Sequence, residues 1–114
     1  MRFVQMHLNG GELNGKRVLS KEAVEIMRSN QLPDAVPGIG QLYPGNGFGV
    51  DFAIVNDSAA FQGAPLGTHW WWGIAGSWFW IDPVSNIGFI GMIQNSDILY
   101  SIQVHAAARA AMYQ

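Results

Sequence analysis

The sequence has no cysteine and few charged residues. Of its 114 residues only 12% are Asp, Glu, Lys or Arg, about half of the usual ~25%. The lack of cysteine excludes disulfides and thiolate-bound metals, and it does not reveal the redox compartment. A surface so poor in charge predicts that part of it is normally covered.

Long apolar runs and basic clusters are also missing. No apolar run reaches the roughly 18 residues that a membrane-spanning helix needs. The six Lys and Arg residues are scattered singly and the formal net charge is −2, so there is no basic stripe for nucleic acid or anionic lipid. We therefore predict neither nucleic-acid binding nor a membrane span.

What the sequence does contain is a concentration of tryptophan. All five tryptophans lie within residues 68–83, where two aromatic runs flank Gly73-Ile74-Ala75-Gly76. Aromatic side chains suit a pleated, half-buried surface, and small residues allow close backbone approach. We predict two antiparallel strands, the second closed by Asp82-Pro83, because Asp bonds to its own backbone in turns and Pro cannot donate to a sheet.

Three helices are predicted around these strands. The first starts near Arg2 and stops at the Asn9-Gly10-Gly11 sequence, with no capping residue before it, which suggests a truncated chain. The second runs over residues 21–29, with Ser20 as its N-cap. The third starts at Ser96 and Asp97 and has apolar residues at spacings of three and four.

Further strands complete an α+β fold with an antiparallel sheet and flanking helices. Alternating apolar residues predict a single strand over residues 48–54. Residues 87–93 are apolar on both faces, which predicts a central strand. The proposed division is one partial domain: a helical segment (1–31), a loop (32–46), and the sheet plus C-terminal helix (47–114).

Several motifs together resemble a known family. The residues Leu8-Asn9-Gly10-Gly11-Glu12-Leu13-Asn14-Gly15, Gly47-Phe48-Gly49-Val50 and, most specifically, the stretch from Trp71 to Pro83 are similar to the C-terminal part of beta-lactamase-like serine hydrolases. This superfamily includes class C beta-lactamases, DD-peptidases and family VIII esterases. The resemblance covers essentially the whole chain and implies the C-terminal part of the beta-lactamase/transpeptidase-like fold.

The resemblance also implies site residues. The third active-site box of the family, K-T-G in lactamases and W-G-G in many esterases, corresponds to Trp71, Trp72 and Gly73. Trp72 stands where the family has a small residue. These three residues and His69 are expected to bind substrate, and the backbone N–H of Ile74 is expected to be one of two oxyanion-hole donors.

The family mechanism further implies an acyl-enzyme formed by the serine of an S-x-x-K box, with proton transfer by its lysine and by the tyrosine of a Y-x-N or Y-x-S box. Neither box is present in this chain. We therefore expect the chain alone to be inactive and to require the N-terminal part of the same domain. The implied substrate is a small ester, amide or lactam, and no cofactor is expected.

Other interpretations stay open at this stage. Exposed tryptophans also suit a carbohydrate-binding module, and the chain could be a non-catalytic fragment or an interaction subunit. The resemblance implies that the strand over residues 87–93 lies mid-sheet in the family fold, next to N-terminal strands that these 114 residues do not include, so here we expect an exposed edge. That edge lacks charge and proline, which favours dimers or aggregates. His7 and His105 lie on separate predicted helices without a carboxylate at ligand spacing, so no metal site is predicted. Family relatives are often periplasmic or secreted, but the sequence does not fix the compartment.

Overall fold

The computed structural model describes residues 1–113, which form three helices and seven strands. The helices are α1 (Arg2–Leu8), α2 (Lys21–Met27) and α3 (Ile98–Tyr113). The strands are β1 (Glu12–Leu13), β2 (Lys16–Arg17), β3 (Asn46–Phe48), β4 (Ala53–Val55), β5 (His69–Trp72), β6 (Trp78–Asp82) and β7 (Ile87–Gly91). Both sheets are antiparallel, which confirms the predicted α+β class.

The main sheet has five strands in the order β3-β4-β5-β6-β7. The predicted antiparallel pair of aromatic strands is confirmed as β5 and β6 of this sheet, where Trp70 is opposite Trp80 and Trp72 is opposite Trp78. The turn after β6 uses the predicted chemistry, because Asp82 Oδ1 accepts the N–H groups of the second and third residues that follow it, at 2.9 and 3.0 Å.

The two faces of this sheet are covered by different helices. The face carrying Trp70, Trp80 and Phe89 packs against the long helix α3, whose Tyr113 ring lies 6.3 Å from that of Trp80. The opposite face packs against the short helix α1. Gly88 of β7 lies directly beneath Val4 of α1, where a Cβ atom would clash.

The helix boundaries follow the predicted capping signals. Ser20 Oγ accepts the N–H of Ala23 at 3.0 Å at the start of α2, which ends at Met27, two residues earlier than predicted. After α1, Gly10 has a φ of 63° and allows a left-handed stop. Helix α3 begins at Ile98. The preceding residue, Asp97, accepts the N–H of Tyr100 in the first turn through its Oδ1 atom.

The predicted single strand over residues 48–54 is wrong. The structure has two short strands, β3 and β4, paired as a hairpin, with the N–H of Gly49 bonded to the carbonyl of Phe52 at 2.7 Å. Val50 is 54% exposed and Phe52 only 3%, so they do not share a buried face. The alternating pattern therefore arose from a turn, because periodicity alone does not detect a reversal of the chain.

Two further observations concern strand pairing. Strand β7 has the apolar character of a central strand, but within residues 1–113 it pairs with β6 alone and forms an edge of the sheet, as expected for this chain. The small hairpin β1–β2 was not predicted. Its sequence signal is the pair Asn14-Gly15, which is typical of two-residue hairpin turns. In the structure their φ values are 52° and 74°, as such a turn requires.

Candidate functional site

The candidate site is built on the turn that joins β5 to β6. The N–H of Gly73 donates to the carbonyl of Ser77 at 2.8 Å, and the N–H of Gly76 donates to the carbonyl of Gly73 at 2.8 Å. Ile74, between them, is 74% exposed. Its N–H has no hydrogen-bond partner among the described residues 1–113. The turn therefore presents an unused backbone donor at an open end of the sheet.

The turn is attached to the segment that follows β7. The N–H of Asn95 donates to the carbonyl of Ala75 at 2.8 Å, and Ser77 Oγ donates to the carbonyl of Ile93 at 3.2 Å. These two bonds attach the C-terminal half of the turn, at Ala75 and Ser77, to the segment after β7.

Helix α3 supplies a third attachment. His105 Nε2 lies 2.9 Å from the carbonyl oxygen of Gly76. The imidazole is only 1% exposed, and burial lowers its pKa below the ordinary value. Its ring centroid is 4.2 Å from that of Trp78, so His105 connects the helix to both the turn and the strand that leaves it.

An open, mainly apolar groove of about 350 Å³ lies beside the turn, between the start of α1 and strands β5–β7. It is close to the lower end of the ~300–1,000 Å³ typical of small-molecule pockets. Its lining residues are Met1, Phe3, Val4, Trp71, Trp72, Gly73, Ser77, Trp78, Phe79, Ile90 and Met92. The groove could accept a hydrocarbon group and offers no charged side chain.

The groove brings three of the predicted site residues together. Trp71 is 37% exposed, and its ring makes an edge contact with that of Phe48 at 5.0 Å. Trp72 is half-buried, with its ring 6.2 Å from His105 on the α3 side of the sheet. Gly73 follows at the exposed end of β5. Their substrate-binding roles stay predictions, as does the donor role of Ile74.

His69, the fourth predicted binding residue, lies elsewhere. Its side chain is 1% exposed, beneath α1, with its ring 5.7 Å from that of His7 and 5.3 Å from that of Phe52. Its Nδ1 bonds to the carbonyl of Gly67 at 3.2 Å, and burial lowers its pKa to about 4. His69 does not line the groove, so the structure gives it a packing position.

Sequence reasoning missed three residues around the turn. Ser77 and Phe79 could have been found from the strand pairing, because Phe79 is the cross-strand neighbour of Trp71 and Ser77 closes the turn. His105 had no such signal, since it lies 29 residues from Gly76 in the sequence. Only the packing of α3 on the sheet brings it to the turn.

Neither a metal-binding group nor a membrane-spanning helix occurs in the described part of the chain. Residues 1–113 contain no group of three or more His, Cys, Asp or Glu side chains placed to hold a metal ion. None of the helices formed by these residues has the length and apolar character required to cross a membrane.

No family model matches the chain. It is similar to the protein Rv1367c of Mycobacterium tuberculosis strain H37Rv and to the uncharacterized protein MT1414 of strain CDC 1551. In each case the identity is 35% over 119 residues, covering 97% of this chain and 29% of the relative. The chain thus spans less than a third of the length of these relatives.

Two solved structures share the fold. One is EstCE1, described as a hydrolase with promiscuous acyltransferase activity: the TM-score is 0.69 with 21% identity, over 94% of this chain and 27% of EstCE1. The other is the LovD6 mutant of simvastatin synthase from Aspergillus terreus: the TM-score is 0.63 with 20% identity, over 98% of this chain and 32% of the enzyme.

These comparisons establish the fold. Both solved neighbours have the beta-lactamase-like fold, and the α+β arrangement of this chain matches the C-terminal part of that fold. The fold expected from the Trp71–Pro83 stretch is therefore confirmed. Fold similarity does not by itself transfer an activity or a substrate.

Proposed function

We propose that this chain forms one wall of the active site of a serine hydrolase that cleaves esters, amides or lactams through an acyl-enzyme. In this proposal the chain supplies the third active-site box and one oxyanion-hole donor. The nucleophile and its proton-transfer partners come from a segment outside these 114 residues, the N-terminal part of the same domain.

The observation that carries the proposal is the free N–H of Ile74. The amides of Gly73 and Gly76 are bonded within the turn, whereas those of Ile74 and Ala75 have no partner in residues 1–113. The family resemblance selects Ile74 of these two, because it follows Gly73 of the box. A donor fixed in this way can stabilise the negative charge that develops on a carbonyl oxygen during acyl transfer. A backbone donor places no demand on its own side chain, so isoleucine is compatible with the role.

The groove supports an apolar substrate group beside this donor. It begins at Gly73 and Ser77, the two residues that close the turn, and Trp71 and Phe79 form part of its wall. A substrate whose carbonyl oxygen accepts from Ile74 could place a hydrocarbon substituent in the groove. We assign the substrate-facing role to Trp71, and a packing role against α3 to Trp72.

The need for another segment is supported by the exposed apolar side chains on one side of the groove. Phe3 is 48% exposed, Ile90 is 38% exposed and Met92 is 84% exposed, and large contiguous apolar patches commonly mark interaction sites. The chain also covers only 29% of its curated relatives. We propose that the remaining part of such a protein packs against this surface and brings the nucleophile to the turn.

The carbohydrate-binding alternative receives less support. Trp70, Trp78 and Trp80 are 1%, 6% and 2% exposed and lie in the core. Trp71 alone has a substantial exposed face, at 37%, and sugar recognition by stacking needs accessible aromatic faces. A non-catalytic interaction subunit would leave a fusion of this chain with the rest of a relative without hydrolase activity.

The test is a fusion in which this chain replaces the matched region of Rv1367c. We expect the chain alone to show no saturable hydrolysis of p-nitrophenyl butyrate or a chromogenic lactam, and the fusion to hydrolyse the ester and to be labelled by a fluorophosphonate probe. In the fusion, Ile74→Pro removes the N–H and should lower kcat by about 10²–10³-fold, the usual effect of losing one oxyanion donor.

The matched control is Ile74→Ala, which shortens the side chain and keeps the N–H. It should retain kcat within about threefold of the unmodified fusion, because the exposed isoleucine side chain does not take part in the proposed chemistry. Equal activities for the Pro and Ala variants would contradict the oxyanion role. Saturable turnover by the chain alone would contradict the assignment of the nucleophile to another segment.

A further inference from the structure

The contact between His105 and Gly76 has a defined chemistry. A carbonyl oxygen can only accept a hydrogen bond, so the Nε2 atom, 2.9 Å away, must carry the proton. Burial and the positive charge of Arg109 lower the pKa of His105, while the bond to Gly76 acts in the opposite direction. The Nδ1 atom is buried without a partner among the described residues, as suits a neutral ring protonated at Nε2.

The acceptor is at a sensitive position in the turn. Gly76 has a φ of 88°, and its own N–H closes the turn by bonding to the carbonyl of Gly73. Ile74 lies between these two glycines. The carbonyl of Gly73 and the N–H of Ile74 belong to the same planar peptide unit. His105 fixes the carbonyl of Gly76, and the N–H of Gly76 fixes the carbonyl of Gly73, so the two bonds together restrain the orientation of the Ile74 N–H.

We propose that His105 is a positioning residue, which holds the Gly73–Ser77 turn in the geometry that presents the Ile74 N–H as an oxyanion donor. This inference rests on the proposed function for the use of that N–H, but the restraint of the turn by His105 stands on the geometry alone. His105 does not line the groove, so it acts through the turn and not by touching substrate.

A packing role alone would make a different prediction. The His105 ring is also 4.2 Å from the ring of Trp78 and 6.2 Å from that of Trp72, contacts that any ring of similar size could make. If packing were its whole contribution, loss of the Nε2 donor would lower stability generally. If His105 positions the turn, loss of the donor affects the turn amides specifically.

The first test identifies the tautomer in the unmodified chain. A two-bond ¹H–¹⁵N correlation spectrum at pH 7.5 should show His105 neutral, with its proton on Nε2. A spectrum showing the proton on Nδ1 would overturn the proposal, because Nε2 could then not donate to Gly76. This measurement needs no variant and does not depend on catalytic activity.

The second test compares two variants by amide hydrogen exchange. His105→Gln keeps an N–H donor at a similar reach, and His105→Leu removes it. In the Leu variant we expect the amides of Gly73, Gly76 and Asn95 to exchange about fivefold to tenfold faster, as for loss of a typical hydrogen bond. The strand amide of Val55, bonded to Thr68, should change much less.

The Gln variant should restore slow exchange at the three turn amides. Equal exchange in the Gln and Leu variants, or a uniform increase that includes Val55, would overturn the positioning role. In the Rv1367c fusion, His105→Leu should lower kcat about tenfold with little change in KM, and His105→Gln should recover most of kcat. If the fusion is inactive while the tautomer and exchange results hold, the proposed function fails and the restraint of the turn by His105 stands.

Discussion

The two faces of the five-stranded sheet differ in how completely they are closed. On the α3 face, Trp80 stacks on Phe89 at 4.1 Å and 8°, and Trp70 is 1% exposed. On the α1 face, Trp71 and Ile90 remain 37% and 38% exposed. The difference follows from the covering helices, because α3 has 16 residues and α1 has seven.

This comparison shows how neighbouring residues of one type acquire different roles. Trp70 and Trp71 are adjacent in β5 and therefore point to opposite faces. Trp70 is buried beneath α3, where its Nε1 donates to Asn46 Oδ1 at 2.8 Å. Trp71 borders the groove. The closed face provides stability, and the incompletely covered face leaves room for a ligand or another segment.

The largest expected effect comes from truncating one tryptophan on each face. Trp80→Ala should lower the free energy of unfolding by about 3–5 kcal/mol, because it creates a cavity next to Phe89 in the closed face. Trp71→Ala should cost about 1 kcal/mol, since that side chain is already partly solvated. Urea unfolding of both variants measures the difference. Similar losses would show that the two faces contribute equally to stability.

Acid should weaken the α1 face through His69. Burial lowers the pKa of His69 from 6.5 to about 4, so the unfolded chain binds a proton more readily than the folded chain. Stability is therefore complete above pH 6.5 and is lost as the pH falls towards 4. The full effect is about 3 kcal/mol, at 1.36 kcal/mol for each unit of pKa difference.

The measurement for this prediction is the urea midpoint between pH 8 and pH 4.5. Burial also lowers the pKa values of His7 and His105, which adds to the loss in the same direction. His69→Phe keeps a ring in the site and should reduce the pH dependence. An unchanged pH profile in this variant would show that the acid sensitivity arises elsewhere.

A smaller effect is expected on catalysis at the two adjacent box residues. In the Rv1367c fusion, Trp71→Ala should lower kcat/KM about tenfold with little loss of stability, because Trp71 borders the groove. Trp72→Ala should mainly lower stability, since its half-buried ring lies between His105 and Tyr43, at 6.2 and 6.4 Å. Steady-state kinetics and urea unfolding of the same proteins separate the effects. Equal kinetic and stability losses at both positions would contradict the assignment.

The smallest expected effect on stability concerns the free edge of β7. The outer edge of this strand has no partner within residues 1–113, and we propose that copies of the chain associate through residues 87–93. Met92→Lys places a charge beside the edge, where Met92 is 84% exposed. It should reduce dimers and aggregates in sedimentation experiments while changing stability by about 0.5 kcal/mol or less.

The matched control for this edge is Val84→Lys, since Val84 is 70% exposed in the turn between β6 and β7. It should leave self-association unchanged. Hydrogen exchange gives an independent check: in a verified monomer the outward-facing amides of β7 should exchange quickly. Protection equal to that at the centre of the sheet would show that the edge is already covered in the monomer.

Much of the fold could be predicted from local sequence signals. Ser20 capped a helix as expected, and Asp82 made the predicted turn bonds. Each depends on a side chain bonding to backbone a few residues away, so the sequence contains the whole interaction. The same reasoning could have located the Asn14-Gly15 hairpin, whose turn chemistry is equally local.

Local sequence signals were thus enough to predict the antiparallel aromatic pair and the three helices. The tertiary structure decided which tryptophans are buried, that His69 lies beneath α1, and that His105 reaches the turn at Gly76. The physical reason is that burial depends on which helix covers each face of the sheet. The contacts between these helices and the sheet join residues that are far apart in the chain. Such contacts leave no periodic or local signal in the sequence.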